Sequence, residues 1–329
     1  METTQYAQLL DRVSDGIYFV SRDRHITYWN AGAEQITGYS ADAVVGRSCA
    51  EGILRHVNDA GRQLCLHGCP LAGVMKDGHP RSAELYLHHK DGHRVPVTVR
   101  SEAIRDETGA VIGAAEVFTS RRPTHPADEK RRREDTSLDP VTGLPARRIG
   151  ELHLDSLVRA AAEGTTSLGI LFVDADHFKD VNDTFGHRTG DEALRMVGRS
   201  LSSGLRRDDV VVRWGGEEFL AFLPGASDRS LERAAERVRM LVENSWIQQQ
   251  DAQVRVTVSV GATMATVTDT ADSLVDRADR LMYASKHAGR NRVTSDRGAI
   301  TSRADRPLLG TELPWEMVGA VDRDGFGCG

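Results

Sequence analysis

Two apolar runs, Val210-Val211-Val212-Arg213-Trp214 and Phe219-Leu220-Ala221-Phe222-Leu223, enclose Gly215-Gly216-Glu217-Glu218. This stretch constrains the fold more than any other. The pattern predicts a β-hairpin whose tip carries two carboxylates. Glycine at the tip lets a backbone approach a ligand closely, and paired carboxylates suit a hard cation. A solvated hairpin tip is the plainer alternative. A second acidic cluster upstream, Asp174-Ala175-Asp176-His177-Phe178-Lys179, favours the cation. There the apolar run Leu168 to Val173 stops abruptly at Asp174, as a buried strand does when it delivers a carboxylate to a sheet edge. Taken alone, Asp174 and Asp176 also read as helix caps.

The chain has 329 residues, enough for two domains of ordinary size, and 40% of them are hydrophobic, enough for packed cores. Its net charge of -6 argues against a general nucleic-acid surface. No apolar stretch reaches the roughly 18 residues that span a bilayer, and Met1 to Leu10 lack a signal-peptide core. The expectation is a soluble cytoplasmic protein with neither nucleic-acid nor membrane partners. Four cysteines are too few for a disulfide scaffold.

Residues 136–296 predict β-α-β-β-α-β. The strand at 168–173 is followed by a helix marked by Leu194, Val197 and Leu201, then by the hairpin. A second helix is marked by Leu231, Ala234, Val238 and Leu241. Strict alternation of Val254, Val256, Val258 and Val260 predicts a half-buried strand, and Leu274, Ala278, Leu281 and Met282 a further helix. The order is the ferredoxin-like split arrangement, an α+β fold in which both acidic clusters lie on adjacent central strands.

Residues 1–120 form a different unit, with strands predicted at Gly16–Val20, Ile26–Trp29, Ala83–His89, Val95–Ser101 and Val111–Phe118. Two prolines and a charge run make 121–135 a linker, and 297–329, without sustained periodicity, a disordered tail.

Five motifs in order, from Asp139-Pro140-Val141-Thr142-Gly143-Leu144-Pro145 through Asp174 to Lys179, Asn182 to His187 with Gly190-Asp191, and Gly215 to Phe219, to Tyr283-Ala284-Ser285-Lys286 with Gly289-Arg290-Asn291, resemble the GGDEF family of diguanylate cyclases. Ile26 to Glu34 with Thr37-Gly38-Tyr39-Ser40 resembles a PAS sensor domain. The resemblance implies a palm-type cyclase that joins two GTP molecules into cyclic di-GMP as a homodimer, with two Mg²⁺ ions in each half-site. It implies that Asp174, Glu217 and the Ala175 carbonyl hold metal and that Glu218 is needed for turnover. The family usually has a larger apolar residue at 175, a change that a backbone ligand tolerates. The resemblance further makes Asn182 and Asp191 guanine readers, and Lys179, Lys286 and Arg290 phosphate contacts. The last two, four apart, are expected on one helix face. Arg206 and Asp209 stand where the family has its product-inhibition site. Taken alone, Asn182 is a turn or cap residue, Asp191 an acid at a helix start, and the basic residues a solvated face. A non-catalytic GTP- or cyclic di-GMP-binding regulator and a cyclase that also takes ATP are the competing functions.

Cys49, Cys65 and Cys69, with His56 and His67, cluster in the first unit. Metal or an iron–sulfur cluster, a redox pair Cys65–Cys69, and thiols without a ligand all remain open.

Overall fold

The computed structural model describes residues 8–66, 68–121, 137–249 and 252–300. His67, nearly all of the linker at 121–135 and the tail from 301 lie outside them.

The first unit is one antiparallel sheet, in the order β2-β1-β5-β4-β3. Its strands are β1 (Gly16–Ser21), β2 (Ile26–Trp29), β3 (Arg81–His88), β4 (Arg94–Arg105) and β5 (Val111–Ser120). Helix α1 (Ala31–Thr37) starts at Asn30, whose side chain accepts from Ala33 N and stops at Gly38 with φ 76°. Such capping and a left-handed glycine fix both ends of a helix too short to persist alone. Helix α2 (Pro70–Asp77) opens with proline at its first position. Tyr18, Trp29, Leu85, Val97 and Phe118 fill the core between sheet and helices.

The second unit begins with α3 (Arg147–Ala162) and continues through β6 (Leu168–Ala175), α4 (Phe178–Phe185), α5 (His187–Gly204), β7 (Val210–Arg213), β8 (Glu218–Pro224), α6 (Asp228–Glu243), β9 (Ile247–Gln249), β10 (Ala252–Val254), β11 (Val258–Met264), α7 (Ala271–His287), β12 (Val293–Ser295) and β13 (Gly298–Ile300). The main sheet runs β13-β12-β11-β6-β8-β7. Four successive strands of it, β11-β6-β8-β7, have the ferredoxin-like order, and β6 and β8 are adjacent and antiparallel as expected, with Asp174 paired to Glu218. Every residue of β6 is buried because helices cover both faces of the sheet.

Two expectations need correction. Val254 and Val256 precede the strand: Val254 belongs to the small β9–β10 ribbon, and β11 starts at Val258. All four valines are buried nonetheless, so the alternation marked burial and misplaced the boundary. The fold also continues past residue 296, because Gly298–Ile300 pairs with β12.

The β3–β4 hairpin of the first unit docks on the segment after α6. Trp246 stacks on His88 with centroids 3.5 Å apart. Arg94, fully buried, donates to Asn244 O from Nε (3.0 Å) and Nη2 (2.5 Å) and to Arg55 O from Nη1. Val57 and Tyr86 pack with Met240 and Leu241, and Arg199 on α5 pairs with Asp91 at 2.9 Å.

Candidate active site

Strand β6 ends at Ala175, and α4 starts three residues later, so the Asp174 carboxylate emerges at the edge of a buried sheet. Beside it, the hairpin tip is tightly fixed. Trp214 N and Gly215 N both donate to Glu218 O, and Ala175 N donates to Glu217 O at 3.2 Å. A Cβ on Gly215 would stand 2.7 Å from Glu218 Oε2, so a side chain there would push the carboxylate from its present position.

Burial, with Glu217 and Glu218 nearby, pushes the Asp174 carboxyl up to about 6 even though Lys286 opposes the shift. Burial and then Asp279 push Glu218 up as well. Lys286 Nζ sits 2.8 Å from Asp174 Oδ2. These acids are crowded, and among the described residues the cation bonded to Asp174 is a half-buried ammonium. An environment that raises carboxylate pKa values in this way is relieved by a positive ion. The donor set of Asp174, Glu217 and the Ala175 carbonyl, all oxygen, fits Mg²⁺. Among the described residues no group of three or more His, Cys, Asp and Glu side chains is placed to hold a metal ion. Mg²⁺ needs no such group, since one or two carboxylates suffice when water and phosphate oxygens complete the shell.

Asn182 lies in α4 and Asp191 in the second turn of α5. Gly190 brings them together: a Cβ there would collide with Asn182 Oδ1. Asn182 is therefore not a helix cap, and both side chains are half-buried. Gly190→Ala is expected to displace Asn182 and raise KM for a guanine nucleotide about tenfold, the cost of one lost polar contact. Steady-state kinetics check this, and an unchanged KM contradicts the role given to the pair.

Lys179 is exposed on the first turn of α4. Lys286 and Arg290 do not share a helix face as expected. Helix α7 ends at His287, and Arg290 (φ 62°) and Asn291 (φ 46°) form a left-handed turn beyond it. Arg206 and Asp209 close a tight turn after α5, with Arg206 N donating to Asp209 Oδ2 at 2.7 Å.

Two supporting residues escaped the sequence reading. Asp176 is not a helix cap. It is buried and accepts from Ser259 Oγ (2.7 Å), Thr257 Oγ1 (2.8 Å) and Asn291 N (3.0 Å). It thereby pins the strained turn that carries Arg290. Asn291 is held further by Arg239 and Glu243. Arg213 reaches from β7 to Asp139 at 2.9 Å and to Gly216 O at 2.6 Å, tying the motif near residue 139 to the hairpin tip. A lone arginine in an apolar strand was the available signal.

In the first unit Cys49, Cys65, Cys69 and His56 line one cavity. The metal or cluster left open by the sequence is not supported there, since among the described residues no His, Cys, Asp and Glu group is placed to hold one. Cys49 and Cys69 share the Arg24 guanidinium, a cation that repels metal, and burial raises all three thiol pKa values.

The fold and site define a sensor-type sheet domain followed by a palm-type domain with a carboxylate cluster at its central strands. Residues 14–120 match the PAS domain model and residues 136–292 the model described as "Diguanylate cyclase, GGDEF domain". The chain is thus a PAS–GGDEF protein and belongs to the GGDEF family. It is 38% identical over 157 residues to diguanylate cyclase DgcZ of Escherichia coli, covering 48% of this chain and 52% of that protein. It is 41% identical over 158 residues to response regulator PleD of Caulobacter vibrioides, covering 47% and 35%. The chain thus spans about half or less of these relatives' length. A solved GGDEF domain of DgcB from Caulobacter crescentus, in complex with c-di-GMP, is 33% identical with a TM-score of 0.48, covering 50% of this chain and 97% of that one.

Proposed function

We propose that this protein is a diguanylate cyclase, condensing two GTP into cyclic di-GMP with release of pyrophosphate. The observation that carries the reading is the register of Asp174 against Glu218, which brings the acids of two motifs far apart in sequence to one sheet edge. Bound Mg²⁺ would lower the pKa of the attacking 3′-hydroxyl and offset charge on the α-phosphate. Asp174, Glu217 and the Ala175 carbonyl would hold it. Asn182 and Asp191 orient guanine, since a carboxylate accepts from its N1–H and N2–H₂ edge. Lys179, Lys286 and Arg290 neutralise the phosphates. Lys286 is bonded to Asp174 in the free protein and turns to phosphate when nucleotide arrives. The chemistry is largely positioning and charge neutralisation. One domain holds one GTP, so two chains must face each other as a homodimer. Incubation with GTP, as opposed to ATP, under Mg²⁺ tests the reading by product chromatography.

Feedback belongs to the same proposal. Arg206 is exposed at the end of α5, far along that helix from Asp191. Arg206→Ala is expected to spare the initial rate and abolish inhibition by added cyclic di-GMP. Equal inhibition of mutant and parent would remove Arg206 from the feedback site.

PAS control would run through the docked hairpin. Arg199, which pairs with Asp91, lies on α5 between Asp191 and the turn at Arg206, so the PAS unit grips the helix that joins both nucleotide sites. Removing a buried tryptophan costs roughly 3–5 kcal/mol. Trp246→Ala should therefore separate the two units, giving two unfolding transitions in calorimetry in place of one. A single unshifted transition would mean the contact does not couple them.

A further inference from the structure

The cavity of the PAS unit has a chemistry that the cyclase reading leaves unused. It measures ≈10 Å³, room for one water-sized guest, and is lined by Tyr18, Arg24, His56, Cys49, Cys65 and Cys69. Two of its polar groups are buried without a hydrogen bond, Arg24 Nε and His56 Nε2, the latter 3.7 Å from Glu116 Oε1. His56 is only 4% exposed. A small polar guest is what these atoms lack.

Arg24 organises the thiols. It sits in the β1–β2 turn with φ 64°, and its carbonyl accepts from Cys49 N at 2.9 Å. Its guanidinium donates to Cys69 Sγ at 3.8 Å and also bonds the Cys49 thiol. One planar cation therefore touches two sulfurs. Cys69 immediately precedes α2, at the end of a helix where thiolates are stabilised. Burial raises the pKa of all three thiols; Arg24 opposes it at both Cys49 and Cys69, and at Cys69 the Ala72 and Leu71 N–H groups oppose it as well. At Cys65 burial dominates and pushes the thiol up to about 12.

We propose that Cys69 and Cys49 are an oxidisable dithiol whose substrate is hydrogen peroxide, admitted to this cavity beside Arg24. The Cys69 thiolate attacks one peroxide oxygen. The O–O bond breaks, hydroxide leaves with a hydrogen bond from Arg24, and the proton given up by Cys69 converts it to water. The Cys69 sulfenic acid is then displaced by Cys49. An S–S bond forms, and the departing hydroxide takes the Cys49 proton as the second water. Two thiols lose two electrons, and the peroxide gains them. Closing the bond brings the turn at Cys49–Glu51 towards the start of α2 as Arg24 withdraws. In reducing compartments a disulfide of this kind is transient, as a sensing thiol pair requires.

The test is peptide mapping by mass spectrometry of the full chain, purified anaerobically and treated with one equivalent of hydrogen peroxide. A Cys49–Cys69 disulfide is expected, unaffected by Cys65→Ser and lost in Cys69→Ser. Arg24→Met should slow thiol loss about tenfold, the worth of one charge-assisted hydrogen bond. tert-Butyl hydroperoxide, too bulky for the cavity, should react far more slowly than hydrogen peroxide. Oxidation that falls on Cys65 or Cys328 instead, thiols that all persist, or equal rates for the two peroxides would overturn the proposal. The wild-type map decides even if a variant misfolds.

Discussion

Asp174→Asn is expected to abolish cyclase turnover while leaving the protein folded. The side chain is buried at the end of β6, and its register partner Glu218 stays in place because backbone bonds, not the carboxylate, hold the hairpin tip. Amide for carboxylate removes one negative ligand of the cation. Metal stabilisation of a phosphoryl oxygen is worth several kcal/mol, so kcat should fall by roughly 10³-fold or more. Asp174 also carries the Lys286 ion pair, and its burial disfavours charge. Neutralising it should therefore cost little stability in the metal-free protein. Glu217→Gln should behave alike. Turnover near that of the parent in either variant would remove that residue from the metal site.

The second large effect is at Asp176, where fold and site meet. Three donors converge on its carboxylate, and one of them, Asn291 N, belongs to the left-handed turn that carries Arg290. Asp176→Asn replaces one acceptor oxygen with a donor and leaves at least one buried group unpaired. The cost is about 1–3 kcal/mol of stability, visible as a lower Tm. Arg290 should lose its fixed backbone at the same time. KM for GTP should then rise more than kcat falls, whereas affinity for guanosine, which lacks phosphates, should not change. A stability loss with equal weakening of guanosine and GTP would make Asp176 a folding residue only.

The sequence carried the fold where periodicity and burial coincide. Ile26–Trp29 was placed to the residue, and β6 and the hairpin within two. The Val254–Val260 alternation misled because β11 is covered on both faces, so its own burial has no period to read, whereas the two upstream valines are buried outside the sheet. The carboxylates proposed to hold metal were legible because apolar runs lead into their motifs. The relation of Lys286 to Arg290 was not: a spacing of four implies one helix face only if the helix continues, and here it stops at His287 before Gly289 (φ 114°). Asp176 and Arg213 were hidden for another reason. Their partners, Asn291 and Asp139, lie far away in sequence, and the lone charge in an apolar strand marked Arg213 without naming its partner. The docking of Trp246 on His88 was equally illegible, being a contact between two units that each look complete alone.

The central claim is that one sheet edge gathers the acids, amide and cations of a GTP-condensing half-site. The most direct measurement is purified protein with GTP and Mg²⁺, its products resolved by chromatography alongside the Asp174→Asn variant. The account predicts cyclic di-GMP with two pyrophosphates released for each, none from the variant and none with ATP in place of GTP. Protein that binds GTP and returns it unchanged, under conditions where it dimerises, would contradict the claim and leave a nucleotide-binding regulator.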